Sequence, residues 1–103
     1  VTPRWTNLWL RDQLEIFGYD QIDTVFYHAG NYENGASNPG IANSWNSGIG
    51  VVNYRGWGDA NGWHKPLFHR EEVEQLNNGW DLPIVLSFVC NTGDFGNDFC
   101  DFF

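Results

Sequence analysis

Apolar positions recur at helical spacing near the start of the chain. Leu8, Trp9, Leu10, Leu14, Ile16 and Phe17, with Trp5–Trp9 and Leu10–Leu14 four apart, predict a helix over residues 6–17. Thr6 suits its N-cap, and Gly18 suits the left-handed position past its end. Ile22 to His28 is β-branched and aromatic and predicts a strand. A loop of Gly, Asn, Ser and Pro over 29–40 leads to a short helix over about 41–46, closed by Gly48. Ile49 to Tyr54 reads as a second strand and Arg55 to Pro66 as a glycine-punctuated loop. Glu71 to Leu76 forms the core of a helix with an acidic first turn. Pro83 to Cys90 is the most apolar strand of the chain. The continuous apolar runs of the second and third strands predict burial on both faces.

Strands alternating with helices imply right-handed crossovers and a parallel sheet covered by helices, an α/β fold. Ligands of such sheets bind beyond the carboxyl ends of the strands. The loops after Tyr54 and Cys90 leave from those ends and are expected to meet at one rim.

Composition narrows the partners. Thirteen acidic residues against five basic ones give a net charge of -8, which argues against neutralising nucleic-acid phosphates. No apolar run is long enough to span a membrane. Two cysteines are too few for a disulfide framework. A core of this size is marginal alone. The chain is therefore expected to be an internal piece of a larger domain, cut at both ends.

Cys90 ends the most apolar strand, with a turn through Asn91, Thr92 and Gly93 beyond it. A thiol there is held by a rigid element, and amides of the turn can face a developing oxyanion. The same position equally suits a buried, inert cysteine.

Four blocks separate these alternatives: Val52 to Gly58, Asn61–Gly62–Trp63, Leu82–Pro83–Ile84, and Val89–Cys90 through Asp94–Phe95. In this order and spacing, with Gly18–Tyr19 upstream, they resemble the gingipain family of cysteine peptidases. The resemblance covers nearly the whole chain, but only part of a catalytic domain. It implies a three-layer caspase-like fold, with residues 1–103 lying inside one domain. It implies cysteine-type endopeptidase activity with Cys90 as nucleophile and the amides of Gly58 and Cys90 lining the oxyanion hole. Arg55, Trp57 and Phe88 would border the substrate pocket. No cofactor is implied. Calcium enters only as a structural ion of some relatives, for which Asp20, Asp23, Glu33 and Asp59 are available without EF-hand spacing. The implied partners are a protein or peptide substrate and the rest of the domain, in a bacterial secreted or cell-surface setting that includes type IX secretion.

One departure is chemical. Trp57 stands where the family has its catalytic histidine, and indole cannot accept a proton. Losing a general base typically costs ~10²–10⁴ in rate. His64, seven residues on, can fold back over at most ~23–25 Å and is the expected substitute, although a loop histidine is ordinarily just exposed. The family's sheet order, which the resemblance implies, would place the strand ending in His28 about three neighbours from the Cys90 strand, ~14 Å off. His69 reads as an exposed helix-start residue. The acidic residue that confers basic-residue specificity on relatives is not in this chain, and Arg55 would repel a substrate Arg or Lys. Asp94 is expected to brace its loop, and Cys100 to be free or structural. No Cys/His zinc pattern, phosphate loop or Gly-x-Ser-x-Gly elbow is present.

Three functions follow. The first is an endopeptidase, and the second an inactive homologue serving as a binding or secretion-assembly module. The third is a sortase-like transpeptidase. Trp45, Trp57, Trp63, Trp80 and Tyr32 offer either a stacking platform for sugars or peptides, or simply core.

Overall fold

The computed structural model describes residues 2–27, 39–93 and 96. Helix α1 spans Thr2–Ile16. It begins a turn before the expected Thr6 cap because Pro3, lacking an N–H, costs nothing in a first turn. Thr6 is therefore interior. Gly18 stops the helix as expected: at φ 100° its N–H reaches Glu15 O, while the Tyr19 N–H reaches Leu14 O, both at 3.1 Å. This is the paired bonding of a Schellman end. Trp5 and Trp9 face outward.

The strand expected over 22–28 does not form through Tyr27, and His28 lies outside the described residues. A strand needs a ladder partner whatever its propensity, and among the described residues strand β1 (Val51–Arg55) pairs only with strand β5 (Ile84–Phe88). The segment is held instead by single contacts. Ser44 Oγ donates to Asp23 Oδ2 at 2.6 Å, and the Arg4 guanidinium lies over Phe26 at 5.5 Å. A cleft of about 550 Å³, lined by Leu10, Leu14, Ile22, Val25, Trp45 and Val52 among others, separates it from β1.

Helix α2 (Pro39–Asn46) buries Ile41 and Trp45 and ends before Gly48 at φ 86°. Strands β1 (Val51–Arg55) and β5 (Ile84–Phe88) pair in parallel, with Val51 opposite Ile84 and Arg55 opposite Phe88. Asn53 Nδ2 donates to Asn7 Oδ1 at 2.8 Å and ties α1 to this pair. Burial on both faces is observed for neither strand: on β1 Val51 is exposed and only Tyr54 is buried. On β5 Ile84, Leu86 and Phe88 are exposed, because no described element covers that face. The three-layer caspase-like sheet reduces, among the described residues, to this parallel pair in a small α/β unit.

The expected loop over 55–66 is instead folded. Strands β2 (Gly58–Asp59), β3 (Gly62–His64) and β4 (Leu67–His69) form an antiparallel meander. Asp59 Oδ1 accepts the Asn61 N–H at 2.8 Å, an Asx turn that closes β2 on β3. Side chains alternate between its faces. Gly58, Trp63 and Phe68 turn inward and are buried, whereas Asp59, Gly62, His64, Leu67 and His69 share the outer face.

Helix α3 (Arg70–Glu74) starts after His69, whose N–H donates to Glu72 Oε2 at 2.7 Å. It ends two residues before the expected Leu76. The core is aromatic: Trp63 stacks on Tyr54 at 4.2 Å, and Phe68 on Trp45 at 5.4 Å. Trp45 and Trp63 thus belong to the core, not to a stacking platform. Trp57 and Trp80 are exposed, and Tyr32 is outside the described residues. No described helix is long and apolar enough to cross a membrane.

Candidate active site

Parallel pairing in register brings the carboxyl ends of β1 and β5 to one rim, with Arg55 and Phe88 side by side and both exposed. Two tight turns shape this rim. At Gly56 a Cβ would lie 2.6 Å from the Tyr54 hydroxyl, so only glycine lets the chain fold over that ring. The hydroxyl donates to Trp57 O at 2.8 Å and accepts the Trp57 N–H at 3.2 Å. Burial pushes the Tyr54 hydroxyl pKa up, which keeps it a donor. At Gly58 a Cβ would meet Gly62 O at 2.5 Å and Val89 Cγ2 at 3.0 Å. The glycine turn therefore runs directly against the residue preceding Cys90.

Cys90 is exposed and unpaired. It lies two residues beyond β5, in a turn, and not on the strand as expected. Asn91 follows at φ 58°, a left-handed conformation that asparagine tolerates better than most residues. Sequence reasoning missed what secures this turn. Thr92 is buried, and its Oγ1 lies 2.9 Å from Ser87 Oγ, which in turn accepts the Trp63 Nε1–H at 2.9 Å. The only sequence signal was a Ser and a Thr flanking the cysteine at short range. The thiol thus sits on a short segment pinned through Thr92 to β5, which Ser87 in turn ties to Trp63 of β3.

His64 stands elsewhere. It projects from the outer face of the meander, opposite the face that Gly58 and Trp63 turn toward β5. Its Nε2 contacts Asp59 Oδ2 at 2.8 Å, and its Nδ1 lies 3.3 Å from His69 Nε2. Both ring nitrogens are engaged, and among the described residues no hydrogen bond joins His64 to Cys90. The Asn61 N–H and, after it, the His64 side chain hold the Asp59 carboxyl below the usual carboxylate range. His69, expected to be an exposed helix-start residue, is half-buried and packs edge-on against His64. The exposed Trp57 ring leans on His64 at 5.2 Å, and the Lys65 ammonium lies 5.8 Å above it. His28, Glu33, Asp94 and Cys100 lie outside the described residues.

Chemically, the rim offers an accessible thiol, nearby backbone amides and a shallow apolar border. Comparison with known proteins identifies the family. Peptidase family C25 matches residues 7–101. The chain belongs to peptidase family C25. Its members are cysteine peptidases. Over 64 residues the chain is 36% identical to gingipain R2 and to gingipain R1 of Porphyromonas gingivalis. That stretch is 62% of this chain, but 9% of the R2 protein and 6% of the R1 protein. The C25 chain therefore spans less than a tenth of the curated relatives it matches. No solved structure matches it.

Proposed function

We propose that Cys90 is the nucleophile of a cysteine-type endopeptidase and that residues 1–103 are part of its single catalytic domain. One observation carries the reading: an exposed thiol just past β5, with Gly58 packed against Val89 beside it. In this reading the amides of Gly58 and Cys90 take the oxyanion, while Arg55, Trp57 and Phe88 border the substrate. His64 acts as base, with Asp59 orienting it as the third member of such constellations does. For that, Nδ1 must leave His69 and the ring must swing toward the rim. The substrate is a protein or peptide, and no cofactor is needed, calcium being at most a structural ion. The exposed apolar face of β5 supports packing against further parts of the domain, and relationship to the gingipains supports a bacterial secreted or cell-surface setting.

A second reading has its own support. Trp57 at the base position and the outward commitment of His64 favour an inactive homologue that keeps the cleft as a binding or secretion-assembly module. A thiol-directed peptidyl inhibitor separates the two. The endopeptidase reading expects Cys90 to be modified at neutral pH far faster than a free thiol of the same chain unfolded, and not at all in Cys90→Ala. Equal rates in the folded and unfolded chain would sink it.

A further inference from the structure

The outer face of the meander assembles a cluster that peptide hydrolysis at Cys90 does not use in its present form. Cross-strand pairing aligns Asp59, Gly62 and His69 in one row, and His64 follows Gly62 on the same face. Gly62, between Asp59 and His69 in this row, carries no side chain. His64 Nδ1 faces His69 Nε2 across 3.3 Å, with the rings nearly perpendicular at 85°.

We propose that His64 Nδ1 and His69 Nε2 form a binding site for a divalent transition-metal ion of the zinc class, with Asp59 orienting His64 from behind. The spacing is the first argument. Two metal–nitrogen bonds of ~2.0–2.1 Å meeting at a tetrahedral angle hold their nitrogens roughly 3.3–3.4 Å apart. The second is the tautomer. Asp59 lies 2.8 Å from His64 Nε2 and takes its N–H, which leaves the lone pair on Nδ1, aimed at the gap. A carboxylate behind a ligating histidine is the usual outer partner of such sites. The third is the supply of oxygen. Glu71 and Glu72 bring carboxylate atoms within 4.8 Å of a ligating atom of His69, in a cluster that does not include His64. The neighbouring cations are directed elsewhere: Arg70 Nε toward Glu74 at 3.7 Å, and Lys65 over the rings of Tyr27 and Trp57. His64 is part-exposed, so an ion can reach it. The inference does not rest on the peptidase reading. The two share His64 and the Asp59 that orients it, so an ion held on Nδ1 removes the lone pair a base would need.

The test titrates Co²⁺ and Zn²⁺ into the full chain carrying Cys90→Ser and Cys100→Ser, which removes thiol ligands. Cobalt absorption and competition calorimetry give the affinity. One ion per chain is expected. Asp59→Asn should weaken binding by roughly 10–100-fold, the cost of losing an outer partner, and His64→Gln or His69→Gln by more. Ring-nitrogen NMR of the parent chain, which no folding defect can confuse, should show His64 and His69 moving together on Zn²⁺ addition. Ring signals that stay in place at saturating metal, or affinity unchanged in His69→Gln, would overturn the proposal. Neither readout involves the reactivity of Cys90.

Discussion

Gly58→Ala tests whether the glycine turn and the thiol segment are packed as one unit. The added Cβ would sit 2.5 Å from Gly62 O and 3.0 Å from Val89 Cγ2. Relaxed carbon–oxygen contacts lie at ~3.3–3.6 Å, so β2 would have to move about 1 Å away from β3. The obstacle is backbone, which cannot rotate aside, and the shift would pull on the Gly58–Trp63 pairing. Overpacking of this kind costs ~1–3 kcal/mol, and the upper end applies here. Against it stands the ~0.4–1 kcal/mol that alanine gains by restricting the unfolded chain. The clash wins, for a net loss of about 2 kcal/mol. Urea unfolding followed by fluorescence reads the loss, since buried Trp63 reports on this contact. Val89→Ala in the same background should recover only the side-chain part and leave most of the deficit. A midpoint within error of the parent chain would refute the argument, because it would mean β2 is not wedged between Gly62 and Val89.

Three further outcomes follow from the same geometry. Trp57→His puts an imidazole at the family's base position, and peptide hydrolysis should rise by ~10²–10⁴, measured with a fluorogenic peptide; no rise would remove the glycine turn as the seat of a base. Thr92→Val keeps the shape and deletes the buried hydroxyl 2.9 Å from Ser87 Oγ, which should cost about 1–2 kcal/mol and speed hydrogen exchange at Asn91 and Gly93. Asp59 has a depressed folded pKa, from the Asn61 N–H first and His64 second. Its contribution is therefore complete above the unfolded value of ~3.9 and is lost as pH falls through the lower folded value. Acid unfolding of the parent chain should show that loss below about pH 4, and Asp59→Asn should abolish it.

What the sequence made legible was local. Gly18 and Gly48 end their helices by a conformation glycine alone adopts cheaply, which a sequence displays directly. The β-branched and aromatic runs expected as strands over 49–54 and 83–90 do form strands, over Val51–Arg55 and Ile84–Phe88, with Asn53 and Ser87 carried inside them. The meander escaped notice because strands of two or three residues are shorter than any periodicity. One signal was present: the run Gly58 to Gly62 is dense in turn residues, and the two-residue loop falls at Ala60–Asn61 within it. His64 and His69 meet through the next turn, at Lys65–Pro66, which folds β4 back on β3; without it they are two unrelated histidines, and no metal spacing can be read from them. Residues 22–27 erred the other way, since β-branched content cannot supply the neighbouring edge that a strand requires.

The placement of His64 follows from the same alternation and is the strongest constraint on function. Trp63 is 1% exposed, stacks on Tyr54 at 4.2 Å and donates to Ser87 on β5. A side chain of this size contributes several kcal/mol by its burial, of the order of the ~3–5 kcal/mol lost when a core Phe or Trp is truncated. Because neighbouring residues of a strand face opposite sides, burying Trp63 turns His64 outward, toward Asp59 and His69. Bringing His64 to the Cys90 side by a one-residue slip would expose Trp63 and forfeit that energy. A slip of β3 is therefore not a route to catalysis. A base for Cys90 must come from rotation of the His64 side chain alone or from the position that Trp57 occupies.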